Sequence, residues 1–332
     1  MRAVVMTATG SPQVLEPREL PKPAVRQAGQ VLVRLKAAGV NPIDTKLRRN
    51  GTFHPELLPA ILGCDGAGVI EAVADDVTGF HPGDEVYYCY GGIGAECGNY
   101  AEYAVVDQHA LAVKPASLDF EQAAAAPLVL ITAWESLYDR ARMESGHTVL
   151  VHAGAGGVGH VAIQIAREAG ARVATTVSTP EKARLVSELG AELPILYRDE
   201  DFVEAALRWT DGRGVDIGMD NVGGRLLQAT FPAVRIYGDV VSLLLPDQQT
   251  DWAVARQRNL RTSLEVMLTP MRIGPEKAIH HQSRILEACA NLFDAGKLKV
   301  HVSEILPLDE AAKAHERIEA GSTTGKIVLR ID

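Results

Sequence analysis

Cysteine is scarce in this chain of 332 residues: there are four, Cys64, Cys89, Cys97 and Cys289, with no CxxC spacing among them. That is too few, too irregularly placed, for a disulfide framework in a chain of this size, and it predicts reduced thiols in a cytoplasmic compartment. Positive charge is also in deficit, with 33 Lys and Arg against 42 Asp and Glu, a net charge of −9. Without a basic excess or a Lys/Arg stripe, the attraction that drives nucleic-acid and anionic-membrane binding is missing, so neither partner is predicted. Long apolar runs are absent too. The richest, residues 123–133, is bounded by Glu121 and Glu135 and falls short of the roughly 18 residues a spanning helix needs. The first 16 residues lack the basic and apolar regions of a secretory signal.

The rest is ordinary for a folded protein, with 47% hydrophobic and 23% charged residues. At roughly 100–200 residues per domain, the length predicts two domains. Residues 1–126 read as short strands, such as Val31 to Lys36, Gly68 to Val73 and Glu85 to Tyr88, punctuated by glycine and proline. From 127 to 268 the texture changes to alternating strands and helices. Strands are predicted at 148–153, 172–177, 195–197, 215–220 and 239–243, with helices at 158–169, 180–189, 201–209 and 225–231. Such alternation builds a parallel, doubly wound sheet. Residues 269–332 then return to the first texture, with a helix near 279–295, a strand at 298–305, a helix at 308–320 and a closing strand at 325–331. The doubly wound domain at 127–268 is thus expected to be inserted into a β-rich domain.

Gly154-Ala155-Gly156-Gly157-Val158-Gly159 satisfies GxGxxG between the first of these strands and the first helix. In that setting the first glycine serves a tight turn, the second lets backbone N–H groups approach a pyrophosphate, and the third allows close helix packing. A glycine-rich turn without a ligand is the alternative. An NAD site usually carries an acid about 20 residues further on, to bind the ribose hydroxyls. Here the segment reads Thr175-Thr-Val-Ser-Thr179, with no acid before Glu181. The missing acid, with Ser178 and Lys182 nearby, predicts NADP(H), the two side chains meeting the 2′-phosphate. Ser178-Thr-Pro-Glu181 also reads as a helix capping box, a duty compatible with phosphate binding.

Five segments together, residues 38–44, 62–69, 82–86, 153–159 and 220–223, resemble the medium-chain dehydrogenase/reductase superfamily. Gly39-Val-Asn-Pro42 is similar to its quinone oxidoreductase, or zeta-crystallin-like, branch. The resemblance implies a Rossmann cofactor domain within a GroES-like catalytic domain, and a homodimer joined at the sheet edge near Leu260 to Val266. Zinc members of the superfamily place ligands where this chain has Asn41, Cys64 and Leu128, a set that cannot make a tetrahedral zinc site. No metal is therefore expected. By position, the resemblance makes Asn41 and Thr132 the polar groups near nicotinamide and substrate. Asn41 could instead be a turn residue before Pro42, and Thr132 a helix hydroxyl bonding its own backbone. Tyr197 matches an adenine-side tyrosine and Asn221 a cofactor-binding position, while Gly321 stands where some relatives carry a basic phosphate ligand. Lys46 reads as solvated beside Arg48 and Arg49, and Cys64 as a small buried filler.

The expected activity is NADPH-dependent hydride transfer to a quinone or related conjugated carbonyl, whose product oxyanion is delocalised and needs only hydrogen-bond donors. The rivals are an enoyl or alkenal double-bond reductase and a non-catalytic NADPH-binding structural or sensing protein. Fold alone does not separate them.

Overall fold

The computed structural model describes residues 1–94, 98–321 and 323–332; Cys97 lies outside the described residues. The chain divides into two compact units, one of residues 1–128, 268–296 and 300–332, the other of residues 129–267 and 297–299.

The second unit is a six-stranded parallel sheet. Its strands are β1 (Thr148–Val151), β2 (Arg172–Val177), β3 (Leu193–Leu196), β4 (Val215–Asp220), β5 (Val234–Ser242) and β6 (Arg261–Leu264). Their order is β3-β2-β1-β4-β5-β6. The chain runs outward from β1 in one direction, then crosses back to β4, so the central strands β1 and β4 meet where the winding reverses. All four residues of β1 are buried, as a strand covered on both faces requires. Helix α1 (Gly157–Glu168) follows β1, α2 (Pro180–Glu188) follows β2, α3 (Phe202–Trp209) follows β3 and α4 (Arg225–Thr230) follows β4. One face of the sheet closes on a core of Leu150, Ala174, Ile195, Leu227, Phe231 and Val240.

Helix starts follow local chemistry. Asp201 caps α3 by accepting from the N–H groups of Val203 and Glu204 at 2.8 and 3.1 Å. At α2 the cap is Thr179, whose Oγ1 accepts from Lys182 N, and not Ser178 as the capping-box reading predicts. Pro180, with its fixed φ, takes the first helical position and leaves its predecessor as the cap. Strand β5 opens at Val234 rather than Asp239; the left-handed φ of 62° at Tyr237 and a register shift against β4 interrupt its alternation.

In the first unit a seven-stranded sheet runs through residues 302–307, 326–330, 30–40, 65–73, 85–89 and 111–113, with 103–107 also paired to 30–40. The predicted strand at 298–305 begins only at Val302. Lys299 N–H donates to Gln164 Oε1 and its carbonyl accepts from Gln164 Nε2, both at 2.9 Å, so this backbone is spent on a helix side chain. Glycine permits the tight crossing at residue 68, where a Cβ would stand 2.2 Å from the Arg34 carbonyl oxygen. Helix Pro42–Asn50 leaves the end of strand 30–40. Lys46 is exposed on it, but Arg48, expected beside it in solvent, is buried and pairs with Glu319. Arg48 lies on the inward face of this helix, four residues after Asp44, which is also buried.

Candidate functional site

The glycine loop at the end of β1 holds two glycines with no room for a side chain and one with a single, milder contact. A Cβ on Gly154 would stand 1.9 Å from Thr175 Oγ1, and one on Gly159 would stand 2.3 Å from the Ala153 carbonyl oxygen. Those two permit close packing. On Gly156 a Cβ would meet the Ala153 oxygen alone, at 3.2 Å, a tight contact that a shift of a few tenths of an ångström would relieve. Gly156 is also the N-cap of α1 and offers no side-chain acceptor. The N–H groups of the first turn, from Gly157, Val158 and Gly159, have no partner within the helix and present a positive dipole end. Ala155 is buried inside the loop.

The neighbouring strand ends bring the other expected cofactor groups to the same edge of the sheet. Ser178 follows β2, and Lys182 lies in the first turn of α2. Tyr197 follows β3, donates its N–H to the Val177 carbonyl at 3.3 Å and is 49% exposed. Asn221 follows β4 and donates from Nδ2 to the His152 carbonyl at 2.8 Å, which leaves its buried Oδ1 without a partner. A dinucleotide fits this set: a glycine at the helix N-cap, unspent N–H groups of the first turn, and an orphaned acceptor. Glu181 is the first acid after β2, and it is exposed and paired with Arg184. No acid therefore occupies the end of that strand.

In the first unit, Asn41 is the N-cap of helix 42–50, and its backbone N–H donates to Asp44 Oδ2 at 2.8 Å. Its side chain is buried in a cluster of charges. Nδ2 donates to Asp65 Oδ2 at 2.9 Å, and Oδ1 accepts from the Lys326 ammonium. An ammonium only donates and a carboxylate only accepts, so the amide has one possible orientation. Lys326 Nζ stands 3.6 Å from Asp65 Oδ2, and Asp65 Oδ1 accepts from Leu128 N–H at 2.9 Å. Burial pushes the Asp65 carboxyl up, with Lys326 opposing. Asp44 also accepts from the Tyr100 hydroxyl at 3.0 Å, and Tyr100 lies 3.2 Å from His315 Nε2. Burial pushes Asp44 up to about 7 against its bonds from Asn41 and Tyr100. Cys64 is wholly buried, and burial followed by Asp44 and Asp65 pushes its thiol up, which keeps it unreactive.

These positions do not fit a zinc ion. Asn41 has its amide committed to Lys326 and Asp65, Leu128 offers an alkyl group, and a fixed ammonium already supplies the positive charge beside Asp65. Among the described residues no three His, Cys, Asp or Glu side chains are grouped to hold a metal. Thr132, buried on helix Pro127–Trp134, belongs to the second unit, whereas Asn41 belongs to the first. Asp44, Asp65 and Lys326 escape notice in the sequence. Their signal is a charged residue at the edge of an otherwise apolar strand, as in Lys326 ahead of Ile-Val-Leu329.

Comparison with known proteins gives this geometry its context. The alcohol dehydrogenase GroES-like domain family matches residues 27–116, and the zinc-binding dehydrogenase family matches residues 189–329. A quinone oxidoreductase of Pseudomonas aeruginosa PAO1 is 34% identical over 331 residues, covering 99% of each chain. The chain belongs to the medium-chain dehydrogenase/reductase superfamily, in its quinone oxidoreductase branch. A crystal structure of Escherichia coli quinone oxidoreductase complexed with NADPH superposes with a TM-score of 0.85 at 30% identity, covering all of both chains. A 2-haloacrylate reductase from Burkholderia sp. is 34% identical over 315 residues, 91% of this chain and 90% of that one. The β-rich unit is GroES-like and the α/β unit is Rossmann-type. The protein is an NAD(P)-dependent oxidoreductase with a small-molecule substrate. No helix among the described residues is long and apolar enough to cross a membrane.

Proposed function

We propose that this protein is a zinc-independent, NADPH-dependent reductase whose acceptor is a quinone or related conjugated carbonyl. The observation that carries the reading is the buried cluster at Asn41. At positions where zinc relatives hold a metal, this chain holds an amide clamped between Lys326 and Asp65. Bound nicotinamide would supply the hydride. The chain's own part is to bind the cofactor and to receive the negative charge that develops on the acceptor oxygen.

For binding, the loop from Gly154 to Gly159 takes the pyrophosphate, Ser178 and Lys182 take the 2′-phosphate, Tyr197 lies along the adenine and Asn221 Oδ1 accepts a ligand N–H. For charge, the Lys326 ammonium on Asn41 Oδ1 draws electron density from the amide, which strengthens its uncommitted N–H as a donor. Such a fixed donor suits a delocalised phenolate-like oxyanion, whereas an alkoxide demands a stronger acid. Thr132, in the second unit, contributes a hydroxyl on the nicotinamide side. The three described cysteines are buried and unpaired, which suits a reducing cytoplasm. The edge strand β6 leaves Leu264 and its neighbour Val266 half-exposed, which suits a homodimer joined there.

A second reading, reduction of an activated carbon–carbon double bond, is favoured by the likeness to the 2-haloacrylate reductase. It requires protonation of a carbon after hydride addition. The test is NADPH oxidation by the pure protein against a panel of quinones, alkenals, haloacrylates and aldehydes. Turnover with quinones is expected. Turnover confined to alkenals or haloacrylates would establish the second reading, and silence across the panel would leave a binding protein.

A further inference from the structure

Beneath the glycine loop, the second unit buries a line of neutral polar groups whose proton positions can be deduced. Thr230 Oγ1 lies 2.8 Å from the Leu226 carbonyl oxygen. Two oxygens at that distance share a proton, and the carbonyl has none, so the Thr230 hydroxyl donates there. Its proton spent, Thr230 can only accept from His152 Nε2, 2.9 Å away. The imidazole proton is therefore on Nε2. Neutral imidazole carries just one, so Nδ1 is bare and accepts from Thr176 Oγ1 at 3.1 Å. Thr176 in turn accepts from Ala153 N–H at 3.2 Å. Every link runs in one direction, from the loop through β2 and the imidazole to α4.

An imidazolium would break this line. Nδ1–H and Ala153 N–H would then both point at Thr176 Oγ1, whose own proton would lose its acceptor. His152 is fully buried with Phe202 edge-on at 4.8 Å, and burial lowers it to about 4 against the pull of Asp220. The residue stands at a mechanical junction as well. Ala153, next to it, has a left-handed φ of 53° as the chain turns from β1 into the loop, and the His152 carbonyl orients Asn221.

We infer that His152, held as the neutral Nε2–H tautomer, is a positioning residue for the dinucleotide loop. Its side chain locks the turn at Ala153 onto Thr176 and α4, and its carbonyl turns the Asn221 amide so that Oδ1 faces away unsatisfied. This inference deepens the cofactor reading and rests on it.

The test has two parts. In the wild-type protein, nitrogen NMR of labelled histidine should show His152 with a protonated Nε2 and a bare Nδ1, unchanged from pH 8 to pH 5. A protonated Nδ1 or an imidazolium in that range would overturn the deduction without any variant. Thr230→Val removes the acceptor at the far end of the line and touches no expected cofactor contact. It should weaken NADPH and NADH alike by about tenfold and disturb the His152 tautomer signature. A purely structural role would lower Tm and leave both dissociation constants within about twofold, which would contradict the inference. Wild-type protein that binds neither nucleotide would instead sink the cofactor reading, while the NMR result would still judge the proton line.

Discussion

In the GroES-like unit the buried polar groups around Asn41 are ionisable: Asp65 and Lys326 grip the amide, and Asp44 stands behind it. In the Rossmann unit the buried line Thr176, His152, Thr230 carries no charge. The first network depends on balance, because removing one ion strands its partner in a dry interior. The second depends on direction, because each group has a single proton to place. The two also respond oppositely to pH. Asp44 rises from 3.8 to about 7 on folding, so between those values the folded chain holds a proton that the unfolded chain has released, and stability falls as pH rises. His152 falls from 6.5 to about 4, so between those values the unfolded chain takes up the proton, and stability falls as pH drops.

The charged network should break hardest. Lys326→Met leaves the Asp65 carboxylate uncompensated and should cost about 3–5 kcal/mol of stability in urea denaturation. Adding Asp65→Asn should recover a large part of that loss. In the double variant Asn41 regains a neutral setting but not its polarised amide, so quinone turnover should stay about 100-fold low. Full recovery of turnover along with stability would show that Lys326 matters to folding alone.

A smaller effect separates the two cofactors. Lys182→Ala removes one charge-assisted phosphate contact and should weaken NADPH by roughly 10- to 100-fold while sparing NADH, as read by nucleotide fluorescence titration. Equal losses would remove Lys182 from the 2′-phosphate site. Asp44→Asn sharpens the pH contrast: the decline in stability between about pH 4 and pH 7 should flatten relative to wild type, because the group that takes up the proton is gone. An unchanged slope would assign that titration elsewhere. The smallest change is expected of Cys64→Ser, which should keep most of the initial NADPH-dependent rate, since burial holds the thiol protonated and out of the chemistry. Loss of that rate with folding and NADPH binding intact would mean the thiol takes part.

The parts of the molecule readable from sequence are those written in local patterns. The alternation of apolar strands and helices from Thr148 to Ser242 marks the doubly wound sheet, and the glycine run after β1 marks the tight turn into its first helix. Edges were less legible. Ser178 satisfies a capping pattern that Pro180 awards to Thr179, and the strand expected from Leu298 is withheld until Val302 by the amide of Gln164. The charge cluster is invisible to any window, because Asn41 meets Asp65 and Lys326 across 24 and 285 positions of chain. The histidine line is hidden for another reason. His152, Thr176 and Thr230 read as ordinary residues until three elements bring their hydroxyls to the two sides of one ring.

The central claim is that an amide held between a lysine and an aspartate serves where relatives use zinc. It is tested most directly by stripping the protein of metal with a strong chelator, assaying NADPH-dependent quinone reduction, and measuring zinc content before and after. The account predicts substoichiometric zinc throughout and an unchanged rate. About one tightly bound zinc per chain, with activity lost on its removal and restored by its return, would contradict it.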